Sequence, residues 1–551
     1  MSQEFARAFS SVFVSDTPVN PYPFQMFHGN MENIVVTYDM VHKVLEALSG
    51  SSSAGPDGIH PSILKNCAAV VALPLFLIIK KSLYLGVLPM EWKTSRVIPI
   101  FKSGSKYSPL NYRPVSLTSC CCKVSERIIV HHITDYLDDG HVISPRQFGF
   151  RRGHSTEDQL LLTYSNIVAE VDRGRVVDAI YLDYSKAFDV INHSILLQKL
   201  HCLGFSTQIL GWIRSFLCDR AMCVSVAGCD SEAVQVSSGV PQGSVLGPLL
   251  FLIYVNSLGL EFNCPWFAFA DDFKLYVAHS RIDSENGANL LQGDLDRLAS
   301  VSQSWNLRLN PAKCVVLRFG ERSSRGDEDA ASVYMLGGEE IRLVKSHRDL
   351  GVTVDSSLKF HIHISCIVNK ASALINQLLR STVCRSYDFM VTLFVSHIRP
   401  IMDYCSTVWN LGYMGDIRRL ESVQRRWTKE VVGLSGMSYH SRLVRLKLFS
   451  IYGRMLRADL IKILKTFNPV VDVRLDLIFE RQSHTATRGH RFKLSVPVCR
   501  SELRRRFFNV RNVATWNSLP VDVVEAGSID SFKGRLDNHL SSRFYQTMDP
   551  S

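Results

Sequence analysis

Two apolar runs in this chain end in carboxylates, and nothing else in its 551 residues constrains the fold so tightly. Trp266, Phe267, Ala268, Phe269 and Ala270 lead into Asp271-Asp272, after which Phe273, Leu275, Tyr276 and Val277 resume the apolar pattern. That spacing predicts a hairpin between two half-buried strands with the carboxylates at its tip. Ala179, Ile180, Tyr181 and Leu182 lead in the same way into Asp183, followed by Tyr184-Ser185-Lys186-Ala187-Phe188-Asp189. Carboxylates delivered by strand ends suit hard divalent cations, which take oxygen ligands. Adjacent strand residues point to opposite faces, so one of Asp271 and Asp272 shares a cage fully with Asp183, and Asp271 is the stronger candidate. Taken alone, an Asp-Asp pair also reads as a polar turn.

The surrounding motifs weigh against a bare turn. Ser238-Gly239-Val240-Pro241-Gln242-Gly243-Ser244-Val245-Leu246-Gly247-Pro248 is a glycine-punctuated turn leading into an apolar helix that ends near Val255. Its glycines let backbone approach a bulky ligand. Asn310-Pro311-Ala312-Lys313 and Leu350-Gly351-Val352 follow. In order and content this stretch resembles the palm of reverse transcriptases. Upstream, Gly55-Pro56-Asp57-Gly58-Ile59, Trp92-Lys93, Pro99-Ile100-Phe101-Lys102-Ser103-Gly104, Asn111-Tyr112-Arg113-Pro114-Val115-Ser116-Leu117 and Gln147-Phe148-Gly149-Phe150-Arg151-Arg152-Gly153-His154-Ser155-Thr156 resemble the fingers of non-LTR (LINE-type) retrotransposon polymerases. Within these the chain is most similar to the jockey/CR1-like group, and the resemblance covers nearly its whole length.

The resemblance implies an α+β right-hand polymerase, with fingers, a palm built on an antiparallel sheet and a helical thumb, plus a mainly α basic C-terminal region. It implies RNA-directed DNA synthesis from dNTPs on an RNA template with a DNA primer. Two magnesium ions, for which manganese substitutes, would lie about 3.5–4 Å apart. Asp183 and Asp271 match their ligands, with Asp272 assisting. Phe188 matches the aromatic beneath the incoming sugar that rejects a 2′-hydroxyl, with an ordinary core ring as the lesser reading. Lys102 and Arg113 match the triphosphate grip, a point charge and a planar fork. Gln242 and Gly243 match the contact to base pair and template, although Gln242 alone also reads as a residue that fixes a turn. Lys313 matches the cation facing departing pyrophosphate. Arg151, Arg152 and Gly351 join the nucleic-acid contacts, Gly351 in the primer-grip turn. There His347-Arg348-Asp349 stands where an aromatic is common, and Asn256-Ser257 stands where many relatives carry Asn-Asp. Asp189 is assigned a structural role outside the metal site.

Net charge is +11, and its placement says more than its size. Residues 411–551 carry 25 Lys+Arg against 13 Asp+Glu, or +12, which leaves 37 against 38, or −1, for residues 1–410. Such asymmetry favours a phosphate backbone. Arg425, Arg426, Arg504 and Arg505 lie beside Trp427 and Phe507-Phe508, as stacking on unpaired bases requires, while a helical domain with merely basic faces is the plainer reading.

The 14 cysteines are scattered and contain no Cys-x-x-Cys pair, so no zinc ribbon can be drawn and reduced thiols are expected. Met1–Phe13 lacks a continuous apolar region, and Ala68–Ile79, twelve residues containing Pro74, is read as too short to span a membrane. A cytoplasmic and nuclear protein is expected. The organisation expected is a polar lead-in over 1–60 with a helix near 41–48, fingers and palm over 61–355 with a strand at Arg96–Phe101, a loop at 321–331, a helical thumb over 356–465 and a basic region over 466–551. Full elements of this group carry an endonuclease before the polymerase, and the chain leaves no room for one, so target cutting is expected from an endonuclease or first-reading-frame protein supplied in trans. A catalytically silent nucleic-acid-binding remnant is the alternative, and a DNA-templated polymerase is the third reading.

Overall fold

The computed structural model describes residues 1–14, 27, 29–259, 262–280, 282–320, 332–467, 478–482 and 489–547, so the loop expected at 321–331 lies outside it. Its centre is a five-stranded sheet in the order Arg342–Val344, Val315–Phe319, Val176–Leu182, Asp272–His279, Trp266–Phe269. The outermost pair, Arg342–Val344 on Val315–Phe319, is parallel, and the other pairings are antiparallel. Every residue of Val176–Leu182 is buried.

Strand alternation divides that burial between two cores. Val177, Ala179 and Tyr181 face one, shared with Leu160, Leu161 and Tyr164 of the helix Thr156–Asp172 and with Val352 and Val354. Ile180 and Leu182 face the other, shared with Leu250 of the helix Gly247–Val255 and with Leu291, Leu295 and Leu298 of Ser284–Ser304. Val176–Leu182 and most of Asp272–His279 are therefore covered on both faces, whereas Trp266–Phe269 keeps the half-buried alternation expected of it. That burial encloses Asp178, which accepts a bidentate pair from Arg318 at 2.7 and 3.0 Å and a hydrogen bond from the Tyr334 hydroxyl at 2.8 Å.

A second sheet orders Tyr112–Leu117, Thr94–Phe101, Arg220–Val226 and Cys229–Asp230, with Val234–Val236 also on Arg220–Val226. The strand expected at Arg96–Phe101 is present. Its edge partner Tyr112–Leu117 was hidden by Pro114, which an edge strand tolerates because one side needs no donor. The polar lead-in also needs correction. Besides a helix at Tyr38–Glu46, it contains the helix Ser2–Ser10, whose Phe5, Ala6 and Phe9 pack against Val97, Met222 and Val224 of this sheet.

The apolar run at 68–79 does not stop at Lys80-Lys81. The helix spans Ala68–Leu85, and by length and composition it is long and apolar enough to cross a membrane. One face, Ala72, Leu75, Ile79 and Leu83, is packed in the protein core, and Ser82 accepts a hydrogen bond from Trp212 Nε1. Residues 361–466 are built of helices joined by short loops, including His361–Ser381, Met414–Lys429 and Ile451–Thr466. The short helices beyond them are not an appended tail. Phe507, Phe508, Val513 and Trp516 share one core with Trp427, Ile364 and the central strand.

Candidate active site

The register Phe269↔Asp272 leaves Ala270 and Asp271 as a two-residue turn, with Ala270 at φ 58. A non-glycine residue there is strained and persists only when its neighbours hold it. Gln147, 1% exposed, supplies the hold. Its Oε1 accepts from Ala270 N and from Gly149 N, each at 2.9 Å, and its Nε2 donates to Ala270 O at 3.3 Å. Gly149 closes the contact, since a Cβ there would lie 2.3 Å from Ala270 N.

Asp183 follows Leu182, which pairs with Phe273, so the register brings Asp183 opposite Asp272. Its backbone is fastened from behind. Asn310 N donates to Asp183 O at 2.9 Å, and Asp183 N donates to Cys314 Sγ at 3.5 Å. Asp183 Oδ2 is a buried atom with no hydrogen-bond partner, and Lys313 Nζ lies 3.4 Å from it as an ion pair.

The three carboxylates lie within one another's fields. Burial and the Asp183 charge push the Asp271 carboxyl up, against its own backbone N–H and the charges of Lys102 and Arg113. Asp272 reaches solvent at its surface, yet partial desolvation and the charges of Asp271, Asp349 and Asp183 push it up to about 6 against the opposing Lys274. Crowded like charges with an orphaned carboxylate oxygen fit a divalent cation. Among the described residues no group of three or more His, Cys, Asp or Glu is already gathered into a cage.

Lys102 and Arg113 stand exposed at the end of the second sheet, where both charges reach Asp271. Phe188 is half-buried, stacked on Phe251 at 4.1 Å and met edge-on by Phe150 at 5.9 Å. Gln242 spends its amide on Asp189 Oδ1 at 2.8 Å, which gives Asp189 its structural partner. Gly243, at φ 124, lets the loop close on Ser116, where a Cβ would lie 2.4 Å from the carbonyl oxygen. Gly351, at φ 90, follows Leu350, at φ 44, in the turn between Ser346–Asp349 and Val352–Asp355; two positive values are what a tight hairpin turn requires.

The arginines divide by exposure. Arg152, Arg426 and Arg505 are exposed. Arg151 donates to Ser144 O and Gln147 O, Arg504 donates to Ser165 O, and Arg425 lies over the Tyr439 ring. The C-terminal excess of positive charge is also partly internal: Arg442, Arg454 and Lys462 are buried, and Arg511 forms a bidentate pair with Asp459. Sequence reasoning assigned no role to Gln147, Lys274 or Lys186. Lys186 lies in the first carboxylate run, half-buried at φ 53, and within the field of Lys102. Its place between two carboxylates was the available signal.

The strands and carboxylates just described fall within residues 100–354, which match the reverse transcriptase (RNA-dependent DNA polymerase) family. The site is therefore that of a reverse transcriptase domain. The RNA-directed DNA polymerase from mobile element jockey of Drosophila melanogaster is 27% identical over 431 residues, 75% of this chain and 45% of the relative. The Probable RNA-directed DNA polymerase from transposon BS of the same organism is 28% identical over 405 residues, 70% of this chain and 44% of the relative. The corresponding protein of transposon X-element is 27% identical over 424 residues, 75% and 46%. Over residues 100–354 the chain is thus similar to the reverse transcriptases, and it spans less than half the length of these relatives.

Proposed function

We propose that the chain is an RNA-directed DNA polymerase that joins deoxynucleotides to a primer 3′-hydroxyl on an RNA template. The observation that carries this reading is the register that brings Asp183 opposite the Asp271-Asp272 turn, with Lys102 and Arg113 acting on Asp271 from the neighbouring sheet. In this reading the central sheet is the palm, the sheet with Thr94–Phe101 belongs to the fingers, and the helices from His361 to Thr466 are the thumb.

Asp183 and Asp271 hold the divalent cations, magnesium by preference, and Asp272 supports them. Bound there, such ions activate the 3′-hydroxyl and neutralise charge on the transferred and departing phosphates. Lys102, Arg113 and Lys186 grip the triphosphate, so that catalysis is chiefly positioning and charge stabilisation. Phe188, backed by Phe251, forms the wall under the sugar. Lys313, beside Asp183, is placed to donate a proton toward leaving pyrophosphate. Gly243, by letting its loop close on Ser116, and Gly351, by allowing the tight hairpin turn, bring backbone to the template and to the primer end. Arg152, Arg426 and Arg505 offer exposed cations to the nucleic-acid backbone. The protein acts inside the cell, where RNA and dNTPs are found.

Purified chain given a primed RNA template, magnesium and dNTPs is expected to extend the primer, and Asp183→Ala to abolish extension. Folded protein that binds template but never extends it would refute the reading in favour of a silent nucleic-acid-binding protein.

A further inference from the structure

The strand that begins at Asp272 carries a lysine into the protein interior. Lys274 is 2% exposed, and Asp349, 4% exposed, forms an ion pair with it. Asp349 also accepts from the Tyr164 hydroxyl at 2.6 Å, and that hydroxyl meets the Tyr181 hydroxyl at 2.9 Å. The rings of Tyr164 and Tyr181 flank the ammonium, with centroids 5.9 and 5.8 Å away. A buried ion pair is costly to desolvate, and an apolar pair of similar volume often serves stability as well. The position of this pair therefore calls for an explanation other than stability.

Lys274 lies two residues after Asp272 and pairs across the strands with Tyr181, two residues before Asp183. Asp349 is the last residue before the Leu350-Gly351 turn. His347, on the same hairpin strand, packs its ring 4.5 Å from that of Tyr181. Both strands that deliver carboxylates thus touch the same small hairpin, within three residues of its tip. The far side of the tip is latched as well, since the Tyr404 hydroxyl donates to Leu350 O at 2.8 Å. The charges of Lys274 and Asp349 both act on the Asp272 carboxylate.

We propose that Lys274 and Asp349 are positioning residues that fix the distance between the Leu350-Gly351 turn, and the primer end it holds, and the carboxylates of the active site. The proposal rests on the polymerase reading above. Side chains on adjacent strands leave the hairpin free to rock on the sheet, whereas a buried, directional charge pair admits one placement. Misplacing the 3′-hydroxyl by about 1 Å costs on the order of 100-fold in rate. The nucleotide is gripped from the opposite side, by Lys102 and Arg113, and is untouched by this pair.

The test is single-nucleotide addition by the full chain and by Lys274→Met/Asp349→Leu, which removes both charges at once, with thermal melting measured alongside. Tyr164→Phe is the milder probe, as it deletes the two hydrogen bonds of that hydroxyl, to Asp349 and to Tyr181, and keeps the ring. The double variant is expected to melt near the unaltered chain, with kcat lowered and primer KM raised about 10- to 100-fold and with KM for dNTP unchanged. Tyr164→Phe is expected to move the same two constants in the same direction by less. An active chain whose double variant, or whose Tyr164→Phe if the double variant does not fold, keeps kcat and primer KM would overturn the inference alone. An inactive unaltered chain would overturn the polymerase reading and this inference with it.

Discussion

Replacing Gln147 by leucine tests the idea that the catalytic turn is held by a side chain from a distant segment. The substitution keeps approximate volume and removes three hydrogen bonds to backbone. Ala270 N and Gly149 N, both in buried residues, are left without an acceptor. Each orphaned donor costs about 1–3 kcal/mol, so a turn that stays in place loses about 2–6 kcal/mol. Ala270 at φ 58 adds a conformational cost of about 1–2 kcal/mol that nothing then restrains.

The turn has a second way to respond. It can relax toward ordinary φ, recover part of that stability and move the Asp271 carboxylate, in which case the loss appears in rate, on the order of 100-fold for about 1 Å. Melting and single-nucleotide addition must therefore be measured on the same preparation, and Gln147→Leu is expected to lose heavily in at least one. Ala270→Gly in the Gln147→Leu background removes the Cβ penalty and is expected to restore about 1 kcal/mol of stability. A Gln147→Leu protein with the melting temperature and the rate of the unaltered chain would refute the clamp.

Gly243→Ala puts a Cβ 2.4 Å from Ser116 O at a φ of 124, so the loop must move; a lower melting temperature is expected, and unchanged melting would show that the close approach is dispensable. Phe188→Val opens the space under the sugar and is expected to raise ribonucleotide incorporation relative to deoxynucleotide, measured by competition on one template; an unchanged ratio would return Phe188 to the core. For Asp178, burial pushes the carboxyl up, but hydrogen bonds from His279 and Arg318, the Arg318 charge and the Tyr334 hydroxyl bring it down to about 2. A depressed folded-state pKa stabilises above the unfolded value of about 3.9, and that contribution fades as pH falls through about 2. The stability advantage over Asp178→Asn is therefore expected to shrink by about 2 kcal/mol between pH 5 and pH 2 in denaturant titrations. A constant difference across that range would contradict the assignment.

The strands that carry the carboxylates were legible because those carboxylates are punctuation in local patterns. Asp183 and Asp271-Asp272 interrupt apolar runs, and the strands formed where those runs lie. What supports them was not legible, because each brace is a pairing across the chain. Gln147 meets Ala270 123 residues away, and Lys274 meets Asp349 75 residues away, with no spacing rule to connect them. Charge counting misled for a related reason. A sum over residues 411–551 cannot distinguish Arg426, which is exposed, from Arg454, which is buried, or from Arg511, which is spent on Asp459. The full burial of Val176–Leu182 was not legible either, because Asp178 looks polar in sequence while its partner Arg318 lies on a strand 140 residues on.

The braces answer a specific electrostatic difficulty. Carboxylates on directly opposed strand positions have backbones roughly 4.5–5.5 Å apart, and two unit charges at about 5.5 Å repel by about 3 kcal/mol at an effective dielectric constant near 20. Three such groups without a cation would drive an unsupported turn outward. The contacts that oppose this are neutral or positive, and all approach from behind: Gln147 on the Ala270 backbone, Asn310 and Cys314 on the Asp183 backbone, Lys274 beneath Asp272. None of them hydrogen-bonds to Asp183 Oδ2, which stays available. Their combined worth, several hydrogen bonds at about 1 kcal/mol each, is of the same order as the repulsion. The carboxylates are thus held together largely through their backbones, and the strain at Ala270 is the local cost of that arrangement.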